Sequence, residues 1–250
     1  MELIQEEIIK ALLNAAQNDR PSKFKDLKKY IGTQYDFIGL SAPGHQAVFK
    51  TGFSFTNLPP GEQLKIWEDL WKTSRHYEIM NFAVMFVSKH LSSFEPAYAW
   101  DIVKEWVTKV DNWAHSDGLS AIYSHLLEKE PELVYAQYKV WNISPNSWQR
   151  RQSLVGLTYY SKSRKVKIPV EKLIAMISTL IGDEGYFVQK GLGWTLREMG
   201  NIYAAETLAY LYENVASIRP VAFTAAIEKL DADNKNRLKQ LRKNNKKVGR

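Results

Sequence analysis

Apolar residues in this chain recur three and four positions apart almost throughout, and alternation of period two never lasts. That pattern leaves helices as the units that must bury each other's faces. Residues 2–17 place Leu3, Ile4, Ile8, Leu12 and Leu13 on one stripe. Pro21 stands where it would open a second helix, ending near Gly32, and residues 35–43 form a connector punctuated by Gly39 and Pro43. From Pro59 onward the pattern becomes regular. Pro60 and Gly61 precede a predicted helix carrying Leu64, Ile66, Trp67, Leu70 and Trp71, and further helices are predicted over residues 77–90, 96–110, 111–127, from Pro131, over 145–160, 170–181, 183–199, 202–214 and 219–230, with a basic loop at 161–167. Helix pairs thus return about every 35 to 40 residues, the spacing of stacked helical hairpins of the HEAT or armadillo kind. The expected fold is an all-α array of antiparallel pairs with a concave groove suited to a long ligand. A globular helical bundle is the structural alternative.

Composition narrows the chemistry. The 250 residues include no Cys, which excludes disulfides, thiol nucleophiles and Cys-ligated metals. The five His form no metal-binding spacing, and neither a phosphate loop nor a dinucleotide glycine pattern occurs, so no metal or cofactor is expected. The N-terminus is acidic and lacks the apolar run of a secretory signal, and no run approaches the ~18 apolar residues of a membrane span. A cytoplasmic monomer, associated with the nucleoid when on DNA, is the expectation. The formal charge of +7 is unevenly placed: eight Lys or Arg and no acid lie between Lys235 and Arg250. Removing those eight leaves 26 basic against 27 acidic residues, a net of −1. The chain therefore reads as one helical-repeat domain over 1–232 and a basic tail over 233–250. The tail is either a frayed helix adding phosphate affinity or a solubilising terminus.

Three stretches carry chemistry. In residues 187–200, Val188, Leu192, Thr195, Leu196 and Met199 form an apolar stripe, while Lys190, Trp194 and Arg197 share another face. Gly191 and Gly193 sit inside that helix, where each costs roughly 1 kcal/mol against Ala; they either allow a bulky partner to approach the backbone beside Trp194 or, with Trp194 in the core, permit tight helix packing. In residues 110–117, Trp113 and Asp117 are four apart on one face, Asp111 or Asn112 is placed to cap, and His115 faces elsewhere. An Asp inside an apolar helix favours a partner; otherwise Asp117 is exposed or caps a neighbouring helix. In residues 146–154, Trp148 and Arg151 share a face, and Arg151 is open to phosphate, to Asp117 or to solvent.

Taken in order, these stretches resemble the AlkD-like family of DNA glycosylases, alkylpurine repair enzymes with HEAT-like repeats. Gln189-Lys190-Gly191-Leu192-Gly193-Trp194-Thr195-Leu196-Arg197-Glu198 is close to that family's QKAIGWxLRE signature. Trp148-Gln149-Arg150-Arg151 is similar to its W-x-x-R segment, and residues 113–117 to its W-D-S-V-D segment. Weaker similarity extends over residues 20–230. The resemblance implies that Trp113, Asp117, Arg151 and Trp194 fall on the active-site Trp, Asp, Arg and Trp, and that Tyr30 falls on a Tyr that approaches the lesion strand. Arg150, Lys190 and Arg197 join Tyr30 as candidate DNA contacts. Ala114 stands where the family often has Asp, and His115-Ser116 replaces Ser-Val, a departure that bears on activity more than on fold.

The implied partner is duplex DNA with alkylated bases, and the implied reaction is hydrolysis of the N-glycosidic bond of a purine alkylated at N3 or N7. Such a purine is cationic and leaves readily. What the protein must stabilise is the oxocarbenium ion on the sugar, which one carboxylate can do while holding the attacking water. Aromatic faces suit a cation, and an Arg suits the adjoining phosphate. Two other classes stay open on the sequence: a non-catalytic binder of branched or damaged DNA, motivated by Ala114 and the basic tail, and a protein-binding scaffold.

Overall fold

The computed structural model describes residues 1–19 and 26–248, and every regular element among them is helical. The only extended pairing among those residues is an isolated parallel bridge between Asp36 and His76. The all-α, paired-helix expectation is thus the observed architecture. No described helix is long and apolar enough to cross a membrane. The chain packs as two compact units, Met1–Ile122 and Tyr123–Arg250.

The first unit contains α1 (Glu2–Ala16), α2 (Leu27–Ile31), α3 (Ala42–Thr51), α4 (Pro60–Thr73), α5 (Tyr77–His90), α6 (Pro96–Val103) and the start of α7 (Trp113–Lys129). Pro21, expected to open α2, lies outside the described residues; Asp26 caps that helix by accepting from Lys29 N at 2.9 Å. Gly32 ends it at φ +79°, a conformation that costs glycine nothing. Proline occupies the first turn of α3, α4 and α6, where its missing N–H would have had no helical partner. The stripe read on α1 is only half used: Ile8 and Leu12 are buried, whereas Leu3 and Leu13 face solvent.

The core of this unit is aromatic. Trp67, Trp71, Trp100, Trp106, Phe82 and Phe86 are all buried. At about 25 cal/mol per Å² of apolar surface, each such ring contributes several kcal/mol. One pair also explains a departure from the predicted helix over 96–110. The α-helix stops at Val103 and the chain continues as a 3₁₀ turn over Lys104–Lys109. The tighter winding stacks Trp106 on Trp71, with centroids 4.9 Å apart and planes 11° from parallel. It also turns the Trp106 carbonyl to accept from Trp71 Nε1 at 3.1 Å.

Two histidines of this unit lie inside. His115 is buried, stacked on Tyr77 at 4.6 Å, with Nδ1 2.9 Å from Asn112 Nδ2 and Nε2 3.1 Å from Tyr77 O. It therefore faces away from Trp113 and Asp117, as its spacing implied. Burial holds the pKa of both His115 and His45 down to about 4, despite the opposing hydrogen bond to Tyr77 and the charge of Asp19 respectively. Both rings are neutral in the fold, while the unfolded chain takes up protons near pH 6.5. Stability is accordingly complete above that pH and falls as the pH drops toward 4. Each ring costs about 1.4 kcal/mol per pH unit within the window. Urea midpoints measured from pH 7 to pH 5 are expected to decline; a flat profile would place neither ring inside.

The second unit holds α8 (Pro131–Asn142), α9 (Ser147–Thr158), α10 (Val170–Leu180), α11 (Tyr186–Gly200), α12 (Ala204–Asn214), α13 (Pro220–Ala226) and α14 (Ala232–Val248). Helix α11 packs between α9 and α13, and α8 and α10 pack behind α9. Within the segment read as a basic tail, residues 233–248 belong to α14, whose inner face packs on this unit. Leu238 is wholly buried, Tyr212 donates to Asn234 Oδ1 at 2.9 Å, and the Arg242 guanidinium covers the Phe223 ring at 4.7 Å.

Candidate functional site

In the first unit the site residues gather at the start of α7. Of the two candidate caps, Asn112 is the one used: its Oδ1 accepts from His115 N at 2.9 Å. Asp111 turns instead toward the end of α2, accepting from Thr33 Oγ1 at 2.9 Å and from Gln34 N at 2.7 Å. Tyr35 strengthens this junction by donating to Lys109 O at 2.5 Å. Lys109 in turn donates to the carbonyls of Trp71, Lys72 and Ser74 at 2.9, 2.7 and 3.0 Å, closing the end of α4. Burial, followed by the charge of Arg75, lowers the Lys109 pKa from its ordinary value.

The result is a fixed register between α2 and α7 that joins two predicted site residues. Trp113 Nε1 donates to Tyr30 O at 3.0 Å, and the two rings meet edge to face at 5.4 Å and 81°. Tyr30 remains 47% exposed. Asp117 follows one turn after Trp113 and is half-buried. Beside it, Gly118 lets α7 approach α5, because an added Cβ would lie 2.7 Å from Val84 Cγ1. Gly118 also lines a cleft of about 640 Å³, together with Phe49, Val84, Met85, Gln46, Lys50 and Lys89.

In the second unit, Asn146 caps α9 by accepting from Trp148 N at 2.8 Å, and the two arginines that follow part company. Arg150 grips Asp183 through Nε at 2.6 Å and Nη2 at 3.4 Å, and its Nη1 donates to Ser144 O and Pro145 O. Its donors therefore tie α9 to the turn before α11, and Arg150 is a structural staple rather than a displayed cation. Arg151 is only 7% exposed, so the solvated alternative does not hold, and its Nη1 donates to Phe187 O at 2.9 Å.

Gly191 makes room for that guanidinium and for Val155: a Cβ there would meet Val155 Cγ2 at 3.1 Å and Arg151 Cγ and Nη1, both at 3.2 Å. All are side-chain atoms, which can give by the few tenths of an ångström needed. Gly191→Ala is therefore expected to change the melting temperature by no more than a few degrees, while weakening duplex DNA binding severalfold by displacing Arg151. Thermal unfolding and fluorescence anisotropy check both halves; unchanged affinity would detach Arg151 from DNA.

The expected face of α11 is present. Lys190 is exposed and lies 5.8 Å from the Tyr186 ring centroid. Trp194 is half-buried, with Tyr159 at 5.6 Å and Tyr160 at 6.4 Å. Arg197 pairs with Glu228, an exposed carboxylate whose attraction solvent weakens. The close approach anticipated at Gly193 is to helix α13: an added Cβ would lie 2.4 Å from Ala222 O.

The sequence that builds this paired-helix scaffold matches a known family. The family model described as DNA alkylation repair enzyme aligns with residues 9–230. The chain belongs to this DNA alkylation repair family. Its role is thus in the repair of alkylated DNA, with DNA as its partner. Solved structures agree in fold. The Enterococcus faecalis protein described as a predicted DNA alkylation repair enzyme superposes with a TM-score of 0.69 at 19% identity, over 88% of this chain and 96% of that one. AlkD2 from Streptococcus mutans gives 0.53 at 20% identity, over 87% and 97%. Smu.31 from Streptococcus mutans UA159 gives 0.52 at 19%, over 92% and 97%. At such identities the likeness concerns fold alone. No curated protein matches the chain.

Sequence reasoning about this family member missed Tyr160, whose backbone conformation no local pattern announces. Among the described residues no group of three or more His, Asp or Glu is placed to hold a metal ion.

Proposed function

We propose that this DNA alkylation repair protein is a monofunctional DNA glycosylase that hydrolyses the N-glycosidic bond of purines alkylated at N3 or N7 in duplex DNA. The observation that carries the reading is at the start of α7, where the Trp113 indole, locked against Tyr30, stands one turn before the half-buried Asp117. The alkylated purine leaves with the electrons of its bond to C1′ and becomes neutral. The positive charge left on the sugar is what Asp117 stabilises, and the same carboxylate holds the water that adds to C1′. An abasic site remains.

In this reading the negative potential of the Trp113 and Trp194 ring faces suits a cationic sugar. Arg151 takes a phosphate oxygen, and Tyr30, Lys190 and Arg197 complete the contacts to the backbone. Arg150, committed to Asp183, is left out of that set. The reaction draws on no cofactor.

Incubation of the protein with duplex DNA treated with a methylating agent, followed by chromatography of the released bases, tests the reading. Release of 3-methyladenine or 7-methylguanine is the expected result. Duplex binding with no release from any alkylated duplex would assign the chain to non-catalytic DNA recognition and make Ala114 the first position to change. No affinity for DNA even at low salt would favour a protein scaffold.

A further inference from the structure

Tyr160, just after α9, is the one non-glycine among the described residues with a left-handed backbone, at φ +48°. A tyrosine gains nothing locally from that conformation, so its surroundings must impose it. They do so from both sides. Ser161 Oγ donates to Glu198 O at 2.7 Å, and Ser161 N donates to Glu198 Oε2 at 3.3 Å. On the other flank, Arg164 Nε donates to Tyr159 O at 3.0 Å, and Glu128 Oε1 accepts from Lys165 N at 2.6 Å and Val166 N at 3.2 Å.

This bracing does not bury the ring. Tyr160 is 61% exposed and stands edge-on to Tyr159 at 4.7 Å and to Trp194 at 6.4 Å. The strain displays an aromatic face beside a cleft of about 340 Å³, which Lys162, Trp194, Arg197, Asn201 and Lys229 also line. That volume lies within the ~300–1,000 Å³ typical of ligand sites. Glu198 lines the cleft too, but one of its oxygens faces Ser161 and the other Lys229 Nζ at 3.3 Å. An aromatic platform with ammonium groups beside it suits an unpaired nucleotide, because the ring stacks on any base while the cations hold the phosphate.

We propose that Tyr160 and this cleft bind a nucleotide whose base has left the duplex stack, with the base on the Tyr160 ring and its phosphate on Lys162 and Lys229. Tyr160 is then a positioning residue that extends the aromatic surface begun by Trp194. The assignment rests on the reading of Trp194 as a DNA contact, but it needs no base release.

The test uses the full chain and a duplex carrying one unpaired fluorescent aminopurine opposite a stable abasic-site analogue, beside a fully paired duplex. The parent is expected to quench the aminopurine by stacking. Tyr160→Gly should abolish the quench and lose roughly ten- to hundredfold in affinity for the unpaired duplex, while binding the paired one as before. Its melting temperature should equal or exceed the parent's, since glycine accepts the left-handed backbone without strain. Tyr160→Trp should keep the quench. Equal affinity of Tyr160→Gly for the unpaired duplex, or equal losses on both duplexes, would overturn the assignment. Base release measured in parallel separates the two readings. Tyr160-dependent quenching without release sinks the glycosylase reading alone. Release by the parent, with Tyr160→Gly indistinguishable on the unpaired duplex, sinks this one alone.

Discussion

Asp117→Asn is expected to release alkylated purines at least a hundredfold more slowly than the parent while binding duplex DNA as tightly or more tightly. The amide keeps the shape of the carboxylate and removes its charge. Losing one preorganised electrostatic group at a reacting centre costs on the order of a hundred- to a thousandfold in rate. Binding should not suffer, because a negative group near phosphates opposes association until the sugar becomes cationic. Asp117 is half-buried on a helix whose first turn is fixed by the Asn112 cap and the Trp113–Tyr30 bond, so the substitution leaves its supports in place. Single-turnover release and anisotropy on the same duplex decide the matter. Release at the parent's rate would remove Asp117 from the chemistry, and a parallel loss of binding would make it a contact residue instead.

Gly193→Ala carries the largest expected effect on stability. Its Cβ would lie 2.4 Å from Ala222 O, 2.8 Å from Ala222 Cα and 3.0 Å from Ala222 C. All three are main-chain atoms of α13, so no rotamer change can relieve the clash and one helix must move. Overpacking of this kind costs about 3 kcal/mol, enough to lower the melting temperature by roughly 10 °C. Gly61→Ala is the control, since nothing lies within 4 Å of an added Cβ there. It should be neutral or slightly stabilising. If Gly193→Ala melts with the parent, the close approach of α11 and α13 is not a requirement of the fold. Gly191 and Gly193, two residues apart, thus serve different ends: one accommodates a side chain of α9, the other a backbone.

The contrast between those glycines marks how far the sequence could be read. Spacing alone gave the helices, the prolines that start them and the shared face of Lys190, Trp194 and Arg197. It gave a close approach at Gly193 but not the helix that makes it. The break after Val103 could not be read locally, because the cause is the indole of Trp71, more than thirty residues away, taking the Trp106 carbonyl. The adjacent arginines posed a similar problem. Position says that Arg150 and Arg151 point apart, but only Asp183 on one side and Phe187 O on the other say which serves the fold. Tyr160 was hidden for another reason: left-handed backbone is foreseen at glycine or asparagine, and here Glu198 and Glu128 impose it on a tyrosine.

Several of the bonds around the candidate residues share one property. Trp113 holds the carbonyl of Tyr30, Lys109 those of Trp71, Lys72 and Ser74, His115 that of Tyr77, and Arg151 that of Phe187. In each case one partner is a side chain and the other is main chain, and every residue type supplies the latter equally. An acceptor position can therefore exchange residues over evolutionary time without losing the bond itself. Where the acceptor's own side chain has no other task, selection need watch only the donor, which makes the architecture tolerant of drift at some of its own fastenings.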